Sequence, residues 1–406
     1  MVAIRAGRLV DVDKSEVLRD QVIVIRGDRI EAVQPGSSKL PAGARVIDLS
    51  KFTVVPGLID CHTHLIGDIQ SADVLLPLER SEAQEAMSGV RNARATLLAG
   101  FTSVRDVGTY RAFVDAALRD AIDDGTVVGP RMEVAGAYVT VATGAGEVVG
   151  AAPDVTIPFG FRFGVANSAD EVRARVRAIL NGGADFIKIL ATGAVLTRGT
   201  NPGASEYTED EIRAAVEQAA EYGTFVAAHA HGAEGIKRAV RAGVRSIEHG
   251  SLMDDEAIAL MRKQGTWLVA DIYNGDYIDS VGRVEKWPAD ILRKNTETTE
   301  TQRAGFRKAV AAGVRIAYGT DSGVYPHGLN ARQLPYMVKY GMTPMEAIRS
   351  ATINAAQLMR REDRVGSIAP GKFADLVAVE GDAMADLRSF ERVGFVMKGG
   401  VVYKGP

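Results

Sequence analysis

Between roughly residues 55 and 365 the chain alternates short apolar runs with amphipathic stretches, and this alternation limits the fold more than any other feature. The apolar runs are Val54–Ile59, Phe101–Val107, Arg131–Tyr138, Asp185–Leu190, Phe225–His229, Arg245–His249, Thr266–Ala270 and Arg315–Gly319. Runs this uniformly apolar suit strands buried on both faces of a parallel sheet. The stretches between them, such as those opening Ala169-Asp170-Glu171-Val172 and Thr208-Glu209-Asp210-Glu211, begin with acidic residues, as helix N-termini favour. Eight strands alternating with helices predict an α/β fold: an eight-stranded β/α (TIM) barrel.

The two ends of the chain have a different texture. Ala3–Asp11, Gln21–Arg26, Arg29–Val33 and Arg45–Leu49 show period-two patterning, and so do Ala374–Val379, Val393–Met397 and Val401–Tyr403. Each end alone is too small for a stable core, so the pattern predicts one small discontinuous β-sandwich domain from 1–55 plus 366–406. The barrel domain is then 56–365.

A β/α barrel carries its chemistry at the C-terminal ends of its strands. The first strand ends Asp60-Cys61-His62-Thr63-His64, the fifth Ala228-His229-Ala230-His231, the sixth Ile247-Glu248-His249 and the eighth Tyr318-Gly319-Thr320-Asp321. Residues two apart on a strand face the same side, so His62 pairs with His64 and His229 with His231. Five of six histidines thus fall at strand ends that meet at one mouth, and His327 lies in the loop leaving it. Neutral imidazole is a common transition-metal ligand, and this convergence points to a metal site. Lys188 stands inside the apolar fourth strand, where its cation would be crowded against a metal. Carbamylation by carbon dioxide would convert it into an anionic ligand able to bridge two ions. The single cysteine, Cys61, excludes an internal disulfide, and its position suggests packing.

Composition excludes other classes. The chain is 46% hydrophobic and 24% charged with a formal net charge of -3, so nothing in it favours nucleic acid or an anionic membrane. No apolar run approaches the ~18 residues of a membrane span. No signal peptide is visible, so a cytoplasmic location is expected, although a trimmed export product would read the same way.

These residues carry a resemblance to the amidohydrolase superfamily, at Asp60-Cys61-His62-Thr63-His64, Lys188, His229, His249, Asp321 and the tail Gly366-Ser367-Ile368-Ala369-Pro370-Gly371-Lys372-Phe373-Ala374-Asp375-Leu376. Ile187-Lys188-Ile189-Leu190-Ala191-Thr192-Gly193 and His229-Ala230-His231-Gly232 resemble prolidase-like metal carboxypeptidases and dipeptidases. Tyr318-Gly319-Thr320-Asp321 and Tyr325-Pro326-His327-Gly328 look like the branch acting on C-terminal lysine or arginine. The resemblance implies a homo-oligomer with two divalent ions, zinc by default. His62, His64 and Asp321 would hold one ion and His229 and His249 the other, with carbamylated Lys188 and a hydroxide bridging them. It implies attack of that hydroxide on an amide, with Asp321 as base, and release of a C-terminal L-amino acid from a dipeptide or N-acyl amino acid. His231 is expected to hold the substrate carboxylate or the oxyanion.

One departure stands out. Relatives often carry a histidine after the third strand in a Thr-Gly-Gly-His setting, and this chain reads Thr143-Gly144-Ala145-Gly146. His231 or His327 is expected to supply the missing contact. Asp271, Tyr273 and Asp276, after the seventh strand, suit a basic substrate side chain, so Arg and Lys are the first expectation. Tyr207 is a further residue expected to reach the substrate, and the glycine-rich segment 198–203 is expected to form a flexible rim. Proline or hydrophobic dipeptides, and amide-linked aromatic amino acids such as ochratoxin, are rivals within the same chemistry. A phosphotriesterase or lactonase is the rival of a different class.

Overall fold

The computed structural model describes residues 1–67, 72–73, 75–152 and 154–405. It is a mixed α/β fold whose strands form one largely antiparallel sheet and two parallel ones. The first sheet joins both ends of the chain, in the order Val401–Lys404, Phe395–Lys398, Leu376–Glu380, Arg45–Pro56, Val2–Asp11, Glu16–Arg26, Arg29–Pro35. Leu376–Glu380 runs antiparallel to Arg45–Pro56 with Val377 opposite Val55. The period-two pattern explains how this sheet serves two cores. Val54, Leu376 and Ala378 face a cluster with Ile4, Ile23, Ile25 and Phe395. Their neighbours Val55, Val377 and Val379 belong to the main core with Phe101 and Tyr318. The strands from the two ends, expected to form one small sandwich, join in a single seven-stranded hydrogen-bonded order.

The run read as one strand, Val54–Ile59, is two. Pro56 ends the terminal sheet, Gly57 N donates to Asp375 O at 2.8 Å, and Leu58 N donates to Gly100 O at 3.0 Å, so the backbone changes sheets at the glycine. Only glycine fits there, because a Cβ would lie 2.0 Å from Thr102 Oγ1. Leu58–Thr63 then pairs in parallel with Phe101–Asp106, and that strand with Arg131–Val134. The second parallel sheet has the order Trp267–Val269, Ser246–Leu252, Val226–Gly232, Ile187–Leu190, Tyr138–Val139.

The expected third strand also divides, since Gly136 has φ +70° and Tyr138–Val139 joins the other sheet. The two parallel sheets are not one continuous ring of named strands. Asp185 N donates to Val134 O on one side, at 2.8 Å. On the other, the segment read as an eighth strand forms only isolated bridges, Leu268 with Ile316 and Thr63 with Ser322. Its backbone still spans the gap: Leu268 N donates to Arg315 O and Cys61 N to Tyr318 O, both at 2.8 Å.

Helices such as Glu82–Leu98, Ala169–Asn181, Glu209–Glu221 and Ala289–Ala312 separate the strands. Their starts are legible in sequence: Ser81 with Gln84 and Thr208 with Glu211 form reciprocal capping boxes, each worth about 0.5–2 kcal/mol. Among the described residues no helix is long and apolar enough to cross a membrane.

Candidate metal centre

The strand ends meet in one cavity lined by His62, His64, Lys188, His229, His231, His249, Asp271 and Asp321. His62 Nε2 and His64 Nε2 lie 3.4 and 3.3 Å from Asp321 Oδ1. The ligand atoms of these three residues are within 4.8 Å of one another, as are those of His229, His231 and His249, and those of His249, Asp271 and Asp321. The rings of His62 and His249 are 4.8 Å apart, so the groups form one cluster. Backbone strain accompanies them: His249 and Asp321 both have positive φ, 67° and 57°. For a side chain with a Cβ this conformation costs roughly 1–2 kcal/mol, a price met at functional sites when the surroundings over-determine it.

Electrostatics fits the cluster to cations. Burial, reinforced by neighbouring histidines, holds His229 well below its ordinary range and His231 at about 3, so both are neutral. Burial opposes ionisation of Asp321, but hydrogen bonds from His62 and His64 outweigh it and keep the carboxyl well below the usual range. Lys188 is 1% exposed, and burial pulls its amine down to about 8. Its Nζ has no hydrogen-bond partner among the described residues. An orphaned buried amine among imidazoles and carboxylates is costly as it stands. A donor set of histidines, carboxylates and this amine fits divalent metal ions.

Around the cluster, neighbours orient the ligands. His62 Nδ1 donates to Glu248 Oε2 at 2.9 Å, which turns Nε2 toward Asp321. Glu248 is held by Arg105, whose Nη2 donates to Oε1 at 2.6 Å while Nε donates to Cys61 O at 2.7 Å. His64 Nδ1 donates to Gly108 O at 2.9 Å. His249 Nδ1 lies 3.1 Å from Asp271 Oδ1 without the alignment of a hydrogen bond. Asp271 accepts instead from Gln302 Nε2 at 2.8 Å and Asn274 Nδ2 at 3.0 Å.

Four expected substrate residues lie elsewhere. Tyr207 is buried in the main core, donating to Ala166 O, because the helix start at Thr208 turns its ring inward. Tyr273 accepts from Arg332 and packs edge-on against Tyr325 and Tyr336 outside the cavity lining. Asp276 is ion-paired with Arg303 at 2.6 Å and accepts from Tyr336, since the chain is already helical from Asn274. His327 sits behind the cavity, its Nε2 donating to His64 O at 3.0 Å, and burial pulls it down to about 4. Asp271 does reach the cavity, but as a partner of Gln302, Asn274 and His249.

Ala145 and Gly146 line the cavity where relatives would carry a histidine. A Cβ at Gly146 would lie 2.9 Å from Tyr138 Cβ and 3.1 Å from Leu190 Cδ2, so this wall leaves little room for a side chain. In the segment 198–203, expected to form a rim, Thr200 Oγ1 accepts from Ala194 N at 3.0 Å, and just before it Lys294 Nζ donates to Thr197 O at 2.7 Å. Sequence reading missed Arg105, Glu248, Tyr110 and Tyr138. The first two carried a signal, being charges within apolar strands, as Lys188 is. The tyrosines carried none.

The model of the amidohydrolase family matches residues 53–403. An ochratoxinase of Aspergillus niger is 33% identical, with 99% of this chain and 86% of that protein covered. Among solved structures, a Xaa-Pro dipeptidase with methionine in its active site is 40% identical, with a TM-score of 0.94 and both chains covered in full. A prolidase complexed with N-methylphosphonate-L-proline is 30% identical, with a TM-score of 0.91 and full coverage of both. The chain belongs to the amidohydrolase family and is a hydrolytic enzyme.

Proposed function

We propose that this enzyme is a two-metal amide hydrolase that releases a C-terminal L-amino acid from dipeptides or N-acyl amino acids. The observation that carries the reading is the unpartnered Lys188 Nζ inside a cavity ringed by His62, His64, His229, His249 and Asp321. Lys188 as a carbamate would join these residues in holding two divalent ions, zinc by default, on the eight-stranded barrel that we infer from the two parallel sheets and the segment 315–321. The ions, when bound, would polarise the scissile carbonyl and acidify a water.

The remaining work falls to the chain's own side chains. Ionised Asp321 accepts the water proton at a carboxylate oxygen and returns it to the leaving amine nitrogen. Asn274 Nδ2, donating to Asp321 Oδ2 at 3.0 Å, keeps that carboxylate oriented. His231 Nδ1 is 2.8 Å from Ser251 Oγ; a proton from that hydroxyl leaves Nε2–H free to donate to the substrate carboxylate or the oxyanion.

For the released residue, the geometry supports an apolar or aromatic side chain over the basic one expected from Asp271 and Asp276. Both carboxylates are engaged, and Ile66, Tyr110, Leu190, Val195, Leu196 and Ile278 supply an apolar wall. The names of the relatives, an ochratoxinase and a Xaa-Pro dipeptidase, agree with this choice. The test is turnover, with zinc supplied, of dipeptides and N-acetyl amino acids ending in Phe, Leu, Pro, Arg, Lys or Asp. Phe, Leu or Pro should lead. A lead for Arg or Lys would restore the basic branch, and no cleavage by metal-loaded protein would favour ester or phosphotriester substrates.

A further inference from the structure

Among the described residues that line the cavity, one carboxylate lies outside the metal cluster. Among the lining residues, Asp271 and Asp321 belong to the cluster, and Glu85 stands apart on the first turn of the helix Glu82–Leu98. Glu85 is 3% exposed. Arg111 Nε donates to its Oε2 at 3.0 Å. The guanidinium is shared, for Arg111 Nη2 also donates to Arg80 O at 2.8 Å, and the group lies 4.3 Å over the Phe161 ring. Burial outweighs Arg111 and Arg80 and pushes the Glu85 carboxyl above its ordinary range.

Its placement relative to the cluster follows from the chain. Gly108 accepts the His64 Nδ1 proton, and Arg111 follows three residues later, so the two ends of that segment are at most about 10 Å apart. Tyr110, between them, lines the cavity and packs edge-on against Tyr138, whose hydroxyl is 3.2 Å from His64 Nδ1. Glu85 and the metal cluster thus line one cavity and are linked through the segment 108–111. Of the two roles open to His231, holding the substrate carboxylate leaves Glu85 for the opposite end of the substrate.

We propose that Glu85 receives the free α-ammonium of the substrate, so that dipeptides are preferred over N-acyl amino acids. The proposal rests on the amide-hydrolase reading above. An ammonium entering here gains a charge-assisted hydrogen bond in a desolvated site, an interaction that an acyl group lacks.

The experiment compares Ala-Phe with N-propionyl-Phe, which differ only by the ammonium, on the zinc-loaded wild type and on Glu85→Gln. The wild type should favour Ala-Phe in kcat/KM by at least about tenfold. In Glu85→Gln, which keeps an oxygen for Arg111, that ratio should fall toward one, mainly through a higher KM for Ala-Phe. A wild type that treats the pair alike overturns the assignment without needing the variant, and so does a ratio unchanged in Glu85→Gln. Ala-Arg is run beside them: a loss confined to it would overturn the ammonium role in favour of a basic side chain. Cleavage of neither Phe substrate would overturn the amide-hydrolase reading itself, and the Glu85 role with it.

Discussion

Lys188 and Lys294 are both buried lysines, exposed by 1% and 2%, and their surroundings give them different tasks. Lys294 Nζ donates to two carbonyls, Ala194 O and Thr197 O, whereas Lys188 Nζ has no partner among the described residues and lines the cavity with the histidines. Lys188→Ala is expected to fold and to bind less metal than the wild type, with turnover lost; elemental analysis beside a kinetic assay checks both. Full activity in a metal-reconstituted Lys188→Ala would remove the carbamate from the scheme. Glu248 is the second residue to test, because it alone accepts the His62 Nδ1 proton. Glu248→Gln should weaken metal retention about 10–100-fold, measured as the rate of metal loss to a chelator. Retention equal to wild type would make the Arg105–Glu248 pair structural only.

At the scale of elements, the loops after the third and fourth strands act as one wall. Thr197 Oγ1 donates to Ala145 O at 2.8 Å, and Ala145 N donates to the Glu206 carboxylate at 3.0 Å. Lys294, from the helix Ala289–Ala312, holds the same wall from behind. Lys294→Met should remove the ammonium from Ala194 O and Thr197 O, leaving them the Thr200 hydroxyl to share, costing about 1–3 kcal/mol and speeding hydrogen exchange of amides 194–200; unchanged exchange there would show that the clamp is not needed. Glu206 makes the wall sensitive to pH, since burial pushes its carboxyl from 4.5 up to about 7. Between about pH 4.5 and 7 the native state keeps a proton that the unfolded chain has lost, so this group's contribution to stability falls as pH rises. Glu206→Gln stays neutral and should gain in Tm relative to wild type between about pH 5 and pH 8. A constant difference across that range would contradict the buried-acid account. These loop contacts were illegible in sequence because each joins residues far apart in the chain, with no period to mark them. The capping boxes at Ser81 and Thr208 were legible because both partners lie within one turn.

At the scale of the whole molecule, Cys61 reports on the joining of the parts. It is fully buried among Ile59, Val269, Ala317 and Ala355, and burial pushes its thiol far above the ordinary range. A thiol reagent should therefore modify native protein only as fast as the molecule opens, with the labelling rate tracking unfolding as denaturant rises. Rapid labelling in buffer would mean that the strand carrying His62 and His64 opens locally. The sheet that unites residues 2–56 with 376–404 covers the same region, so the two ends of the chain close over the strands that carry the ligands.

The sequence by itself determined the alternation of strands and helices, the helix starts, the placement of five histidines and Asp321 at strand ends and that of Lys188 inside the fourth strand. Those features depend on local periodicity and on the rule that strand ends share one mouth. Only the tertiary structure decided which polar residues face the cavity. Tyr207, Tyr273, Asp276 and His327 found partners elsewhere, while Glu85, Tyr110 and Tyr138 arrived from parts of the chain that no motif marked. The physical reason is that a buried polar group goes where its hydrogen bonds can be met, and those partners exist only once distant segments have packed.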